Sequence, residues 1–305
     1  NERIKRLIII ELMGGLGNQL QQYALYRKLV RMGKKARLDT SWFQMQKQER
    51  KEVTSRELEL DRFDRLVYEV CTQEEKEALI GSGGLSGKLR RRLLPGSVKW
   101  FHESSVYHPE IFDFEDMYVS GYFACEKYYA DILYDLRERI QFPLSGNPLN
   151  RELKDEMERG MSVSLHIRRG DYLNPANREL FGGICTEDYY RGAIDFVLGK
   201  FPDAHFYVFS DDAGYAKSRY QGGRYTIVDW NTGKNSFYDM QLMSFCRHNI
   251  CANSTFSFWG ARLNPHEDKV MVRPTIHKNG QVFVKKEMED LWQGWSFVSP
   301  EGKKQ

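Results

Sequence analysis

The sequence predicts an α/β protein built of two Rossmann-like domains facing across a cleft. Three observations predict it. Strand-like apolar runs alternate with helical stretches along most of the chain, the pattern of parallel sheets covered on both faces. The first of these runs leads through a glycine turn into an amphipathic helix. A polar segment containing two prolines and a glycine, Phe142-Pro143-Leu144-Ser145-Gly146-Asn147-Pro148, divides the chain near its middle. The 305 residues suit two domains at ~150 residues each, placed at 1–145 and 146–305.

Each element follows from local pattern. Arg6-Leu7-Ile8-Ile9-Ile10-Glu11-Leu12 is almost continuously apolar, rich in β-branched residues and too short for a buried helix, so it reads as a central parallel strand. Gly14-Gly15-Leu16-Gly17 turns the chain. Residues 19–33 then form a helix with an apolar stripe of Leu20, Tyr23, Ala24, Leu25, Leu29 and Val30, and Gly33 at its stop. Ala36-Arg37-Leu38-Asp39 returns as a second strand and completes a β-α-β unit. Residues 43–95 are dense in Glu, Lys and Arg with helically spaced apolar residues, so helices are expected, broken by a loop at Gly81-Ser82-Gly83-Gly84. Lys88-Leu89-Arg90-Arg91-Arg92-Leu93-Leu94-Pro95 is the most basic patch; it is a solvated helix face or a contact for an anionic membrane surface. Strand character resumes at 117–123 and, in the second half, at 162–167, 204–209, 225–228, 249–252 and 269–272, with helices around 189–200 and 238–246.

Composition excludes several classes. At 41% hydrophobic and 29% charged residues the chain is too apolar to be disordered. Forty-five basic against 42 acidic residues give +3, too little for bulk nucleic-acid binding. No apolar run approaches the ~18 residues of a membrane span, and no signal peptide is expected. The five cysteines are odd in number and lack C-x-x-C spacing, which favours buried reduced thiols in a reducing, cytoplasmic compartment over a disulfide framework.

Four strand ends carry chemistry. His166-Ile167-Arg168-Arg169-Gly170-Asp171-Tyr172 leaves a strand at the edge where open α/β sheets bind ligands. Two adjacent arginines fit poorly in a core but can clamp phosphates through forked, charge-assisted bonds. The plainer alternative is an arginine paired with Asp171. Gly14-Gly15-Leu16-Gly17-Asn18-Gln19 allows close backbone approach at a helix N-terminus; the alternative is a plain tight turn. Leu20 stands where the third glycine of a dinucleotide fingerprint belongs, yet Asp39 falls where a ribose-binding acid would, so a nicotinamide-dependent oxidoreductase competes. Ser210-Asp211-Asp212 could accept from a guanine or ribose, or cap a helix. Asn253-Ser254-Thr255-Phe256-Ser257 could hold phosphate at a helix start or form a capping box, with Phe258 and Trp259 in the core. A non-catalytic sugar or nucleotide binder is a third reading, served by aromatics such as Tyr122, Tyr172 and Trp259.

At these residues the sequence resembles the bacterial α-1,2-fucosyltransferases, glycosyltransferase family 11. The resemblance runs through Gly14-Gly15-Leu16-Gly17-Asn18-Gln19-Leu20, Ser120-Gly121-Tyr122-Phe123, Glu126-Lys127-Tyr128-Tyr129, the His166 to Tyr172 element, Phe209-Ser210-Asp211-Asp212, Asp239-Met240, His248-Asn249-Ile250 and Asn253 through Ala261. Two positions depart from the family pattern: Gln21 stands where Phe is usual, and Arg262 where Trp is usual. The resemblance implies a GT-B-like architecture, GDP-β-L-fucose in the C-terminal domain, a galactoside acceptor held partly by the N-terminal domain, and an inverting transfer without an essential metal or other cofactor. The resemblance also implies work on a surface polysaccharide at the inner face of the cytoplasmic membrane. On that reading Arg168 meets the β-phosphate, with Asn253, Ser254, Thr255 and Ser257 nearby. Arg169 is a second phosphate contact or a partner of Asp171. His166 lies by the guanosine, Ser210, Asp211 and Asp212 serve guanine or ribose, and Gly15, Gly17 and Asn18 face the diphosphate–fucose junction. Asp171 is the carboxylate nearest in sequence for a general base.

Overall fold

The apolar run that opens the chain forms β1 (Leu7–Glu11), buried at its first four positions because helices cover both faces of its sheet. In the computed structural model, which describes residues 6–49, 56–82, 98–104 and 106–305, the chain divides into two units, Asn1–Gln141 and Phe142–Gln305. The division falls at the start of the polar segment 142–148, four residues earlier than the expected boundary at 145. The segment packs with the second unit: the Phe142 ring stacks on Phe237, and Ser145 Oγ accepts from Asn150 Nδ2 at 2.8 Å.

The first unit holds a four-stranded parallel sheet in the order β2-β1-β4-β3, with β2 at Lys35–Asp39, β3 at Trp100–His102 and β4 at Met117–Ser120. The first helix, α1 (Leu16–Arg31), begins three residues before its expected start, directly on the glycine turn. Its buried polar residues explain why. Gln19 Nε2 donates to the carbonyls of Gly14 at 3.0 Å and Glu57 at 2.9 Å, and its Oε1 accepts from Glu59 N at 2.8 Å. Gln22 Oε1 accepts from Met13 N at 3.0 Å while its Nε2 donates to Gly121 O at 2.8 Å. These amides bond the turn to two other segments, at Glu57–Glu59 and at Gly121, satisfying backbone groups that would otherwise be buried unpaired. Gly14 has φ +81, and a Cβ there would lie 2.6 Å from Asn18 Nδ2, so glycine is required. The described residues among 41–80 are less helical than expected. They give α2 (Ser41–Glu49), one 3-10 turn at Leu60–Arg62 and α3 (Gln73–Ile80), the last closed by a Thr72/Glu75 capping box. The basic patch 88–95 lies outside the described residues. The last helix of the unit is α4 (Leu133–Arg139).

The second unit is a six-stranded parallel sheet in the order β10-β9-β8-β5-β6-β7. Its strands are β5 (Ser162–Ile167), β6 (His205–Ser210), β7 (Tyr225–Val228), β8 (His248–Ile250), β9 (Met271–Pro274) and β10 (Trp295–Val298). The period-2 alternation of the strands sorts the core into two layers. Val163, Leu165, Ile167, Phe206 and Val208 pack on α7 (Glu187–Lys200). Tyr207, Phe209 and Val228 face the other way, onto α5 (Pro148–Arg159) and α9 (Phe237–Phe245). The remaining helices are α6 (Pro175–Phe181), α8 (Ala213–Arg219), α10 (Thr255–Leu263) and α11 (Lys285–Leu291). All strands being parallel, their C-terminal ends share one edge. All five cysteines are free thiols. Among the described residues no helix is long and apolar enough to cross a membrane.

Candidate active site

β5 and β6 end side by side, with Ile167 paired to Ser210, so the chain leaves both strands at one place. There the two arginines meet two carboxylates from the next strand end. Arg168 Nη1 lies 2.8 Å from Asp211 Oδ2, and Arg169 Nε lies 3.2 Å from Asp212 Oδ2. The backbone N–H of Arg169 donates to Asp211 Oδ1 at 2.9 Å, so Asp211 braces both the loop and the Arg168 guanidinium. Asp212 caps α8, accepting from Tyr215 N at 2.9 Å; that bond, aided by Arg169, holds its carboxyl below the usual range. Ser210 Oγ accepts from Asp212 N at 3.0 Å and shapes the same turn. The rings of Tyr172 and Tyr215 back the guanidinium groups, at 5.6 Å from Arg168 and 3.9 Å from Arg169. All four charged side chains are about one-quarter to one-third exposed, which leaves this edge open to a ligand. The carboxylates of Asp211 and Asp212 are thus already engaged, and the helix-capping alternative holds for Asp212. Asp171 opens a short 3-10 turn (Asp171–Leu173); its side chain lies outside the described residues.

The loop before α10 joins this cluster through Tyr172, whose hydroxyl donates to Asn253 O at 2.8 Å. Asn253 is turned inward: its amide donates to the carbonyls of Phe181 and His277. Ser257 Oγ is likewise used internally, on Ser254 O. Ser254 is the N-cap of α10 but makes no side-chain cap bond, and neither its hydroxyl nor that of Thr255 has a hydrogen-bond partner among the described residues. These two hydroxyls and the first N–H groups of α10 remain available to an anion. His166 is buried beside Phe256, and its Nδ1 has no hydrogen-bond partner among the described residues. Burial, helped by Arg168, pushes its pKa well below the ordinary value, so it is neutral at pH 7.

Sequence reasoning assigned no role to a polar network at the end of β7. Asn150 and Asn231 exchange hydrogen bonds at 2.9 and 3.0 Å, Trp230 Nε1 donates to Asn150 Oδ1 at 2.7 Å, and Asn231 Nδ2 donates to Asp239 Oδ1 at 2.9 Å. Burial raises the Asp239 carboxyl to about 7 against the pull of that last bond. Asp239 stood within the family-like motifs, but spacing alone could not reveal its burial.

In the first unit, Gly15 is the N-cap of α1 and its carbonyl accepts from Asn18 N and Gln19 N; Gly17 is buried. Asp39 is buried, with Oδ1 accepting from Ser41 N at 2.9 Å and Oδ2 accepting from Tyr118 OH and Lys76 Nζ, both at 2.6 Å. Its oxygens are therefore committed, and they do not offer a ribose the acceptor that the nicotinamide reading requires. Among the described residues no group of three or more His, Cys, Asp or Glu side chains could hold a metal ion.

Arginines braced by carboxylates at the C-terminal edge of a parallel sheet can bind an anion. The chain belongs to glycosyl transferase family 11, whose model matches residues 108–299. It is 33% identical over 287 residues to the O-antigen biosynthesis glycosyltransferase WbnK of Escherichia coli, covering 86% of this chain and 92% of that protein. It is 30% identical over 275 residues to an alpha-1,2-colitosyltransferase of Escherichia coli, covering 88% and 91%. Among solved structures it is similar to the fucosyltransferase NodZ from Bradyrhizobium, with 14% identity, a TM-score of 0.45 and coverage of 85% and 92%.

Proposed function

We propose that this family 11 enzyme is an inverting α-1,2-fucosyltransferase that moves L-fucose from GDP-β-L-fucose to the 2-hydroxyl of a terminal galactose during surface polysaccharide synthesis. The observation that carries the reading is the pair Arg168 and Arg169, held by Asp211 and Asp212 beside the open hydroxyls of Ser254 and Thr255. In the reaction the bond from the fucose C1 to the β-phosphate oxygen breaks, GDP leaves with the electron pair, and the acceptor oxygen bonds to C1 from the opposite face. Negative charge grows on the β-phosphate. Arg168 neutralises it, Ser254 and Thr255 donate to the phosphate oxygens, and Asp211 keeps the guanidinium oriented before the reaction starts, which is where such donors gain their effect. The countercharge is then supplied by fixed cations in place of a divalent ion. The acceptor proton passes to Asp171, or it leaves late from an oxocarbenium-like transition state that needs little base. Neutral His166 lines the guanosine side. The basic segment 88–95 is proposed to bring the enzyme to the inner face of the cytoplasmic membrane, where its acceptor is made.

The E. coli colitosyltransferase relative makes colitose the second candidate for the transferred sugar. Incubation with GDP-fucose and lactose in the presence of EDTA tests the reading. Free GDP together with fucosyl-lactose supports it; GDP binding with no fucosylated product from lactose or any other galactoside defeats the choice of fucose and galactose. Asp171→Asn separates the two proton routes, since the base loses turnover with donor binding intact.

A further inference from the structure

The first unit carries a polar cavity of about 170 Å³ at the end of β2, and we propose that it is a saccharide subsite for the acceptor glycan, an assignment of ligand that rests on the transferase reading above. It lies where ligands meet parallel sheets, at the C-terminal strand ends. Beyond β2 the chain returns alongside Leu38, which bridges to Val70, and the cavity opens between this segment, the start of α2 and the start of α3.

The wall chemistry suits a neutral polyhydroxyl compound. Asp39 and Lys76, which both line the cavity, form an ion pair at 2.6 Å, and their charges cancel. A phosphate or a metal ion would meet no net countercharge there. Burial of such a pair contributes little net stability, so its use is to fix positions. Tyr118 and the Ser41 backbone hold Asp39, while Lys76 donates to Ser41 Oγ at 2.7 Å. That fixes a hydroxyl and an ammonium in place. Thr40 and Gln44 also line the cavity, and neither side chain has a hydrogen-bond partner among the described residues. Together they present a hydroxyl, an amide donor and an amide acceptor. Sugar hydroxyls both donate and accept, so a mixed polar lining with no net charge is the one that recognises them.

Two variants test this without disturbing the ion pair. Gln44 is exposed on a helix, where alanine is the better helix former, and Thr40→Val keeps the side-chain shape. Lactose and N-acetyllactosamine are titrated into the wild type, Gln44→Ala and Thr40→Val by calorimetry, with GDP titrated in parallel. The expected result is a roughly two- to tenfold weaker galactoside Kd in each variant, the loss of one hydrogen bond, with GDP affinity unchanged. Galactoside Kd values equal to wild type in both variants, or no binding of either sugar by the wild type, overturn the subsite. If the wild type fucosylates lactose while the variants keep its acceptor KM, the subsite falls and the transferase reading stands. If the variants lose galactoside affinity while the wild type releases no GDP from GDP-fucose, the subsite stands and the transferase reading falls.

Discussion

A methyl group added at Gly170 tests whether the Arg168–Asp211 geometry matters to turnover. A Cβ at Gly170 would sit 2.6 Å from Asp211 Oδ2 and 3.0 Å from its Cγ. Ordinary contact begins near 3.4 Å, so the carboxylate must retreat by about 0.8 Å. Oδ2 is the oxygen that holds Arg168 at 2.8 Å, and a retreat of that size stretches the pair to about 3.6 Å, beyond hydrogen-bond reach. Asp211 has little freedom to turn instead, because Oδ1 is held by Arg169 N. Misplacing a catalytic group by ~1 Å costs on the order of a hundredfold in rate. Gly170→Ala is therefore expected to lower kcat/KM by roughly ten- to a hundredfold, with an overpacking cost to stability of about 1–3 kcal/mol. The assay is GDP release from GDP-fucose with a galactoside acceptor, read beside a thermal melt. Gly199→Ala, in α7 with nothing within 4 Å of the added Cβ, is the control: it should leave kcat/KM unchanged and, as a helical Gly→Ala change, leave the melt unchanged or raise stability by up to about 1 kcal/mol. A folded Gly170→Ala enzyme with wild-type kcat/KM would show that the Arg168–Asp211 geometry does not set turnover.

Three further outcomes are expected. Arg168→Ala should lose on the order of 2.7–4 kcal/mol of transition-state stabilisation, a hundredfold or more in kcat, and Arg168→Lys should recover only a small part because a point charge lacks the planar fork; near-normal kcat in purified Arg168→Ala contradicts the assignment. Gln21 is fully buried with neither amide atom bonded among the described residues, so Gln21→Met should raise unfolding stability by about 1–3 kcal/mol in urea titrations, and a drop would show that the amide is satisfied in solution. Burial lowers the pKa of His166, of His248 to about 4 and of His277 to about 3. As pH falls below ~6.5 the unfolded chain takes protons that the folded chain refuses, so stability should decline from pH 6.5 toward 4. Asp239, raised to about 7, works the other way: it adds stability as pH falls from 7 toward 4, but as one group against three. A urea midpoint at pH 5 equal to or above that at pH 7 contradicts this.

What the sequence revealed depended on how much of each element's environment is local. β5 is buried at every position, and its continuous apolar character states that outright. β3 is three residues long and partly exposed, and β10 is a Trp-Ser-Phe-Val segment between turns; neither shows a period long enough to read. Helical spacing misled over 56–72, where Leu60, Phe63 and Leu66 are buried as separate anchors of an irregular segment. The arginines could be placed at a strand end from spacing alone. The carboxylate partner of each lies 43 residues on, brought there by the β5–β6 pairing. Asp211 and Asp212 were legible as polar residues at the right edge, whereas their bracing of Arg168 and Arg169 belongs to the tertiary fold. The same holds for Asn253, whose amide is spent inside the protein, and for Asp239, whose raised pKa depends on burial under neighbouring segments.

In the proposed reaction Arg168 and Arg169 take the charge of the departing diphosphate. A crystal structure of the GDP complex, grown in EDTA, measures this most directly. The expected result is a β-phosphate oxygen within hydrogen-bond distance of the Arg168 guanidinium, with Ser254 or Thr255 on the same phosphate. GDP bound elsewhere, or with both guanidinium groups directed away from it, would remove both arginines from that role.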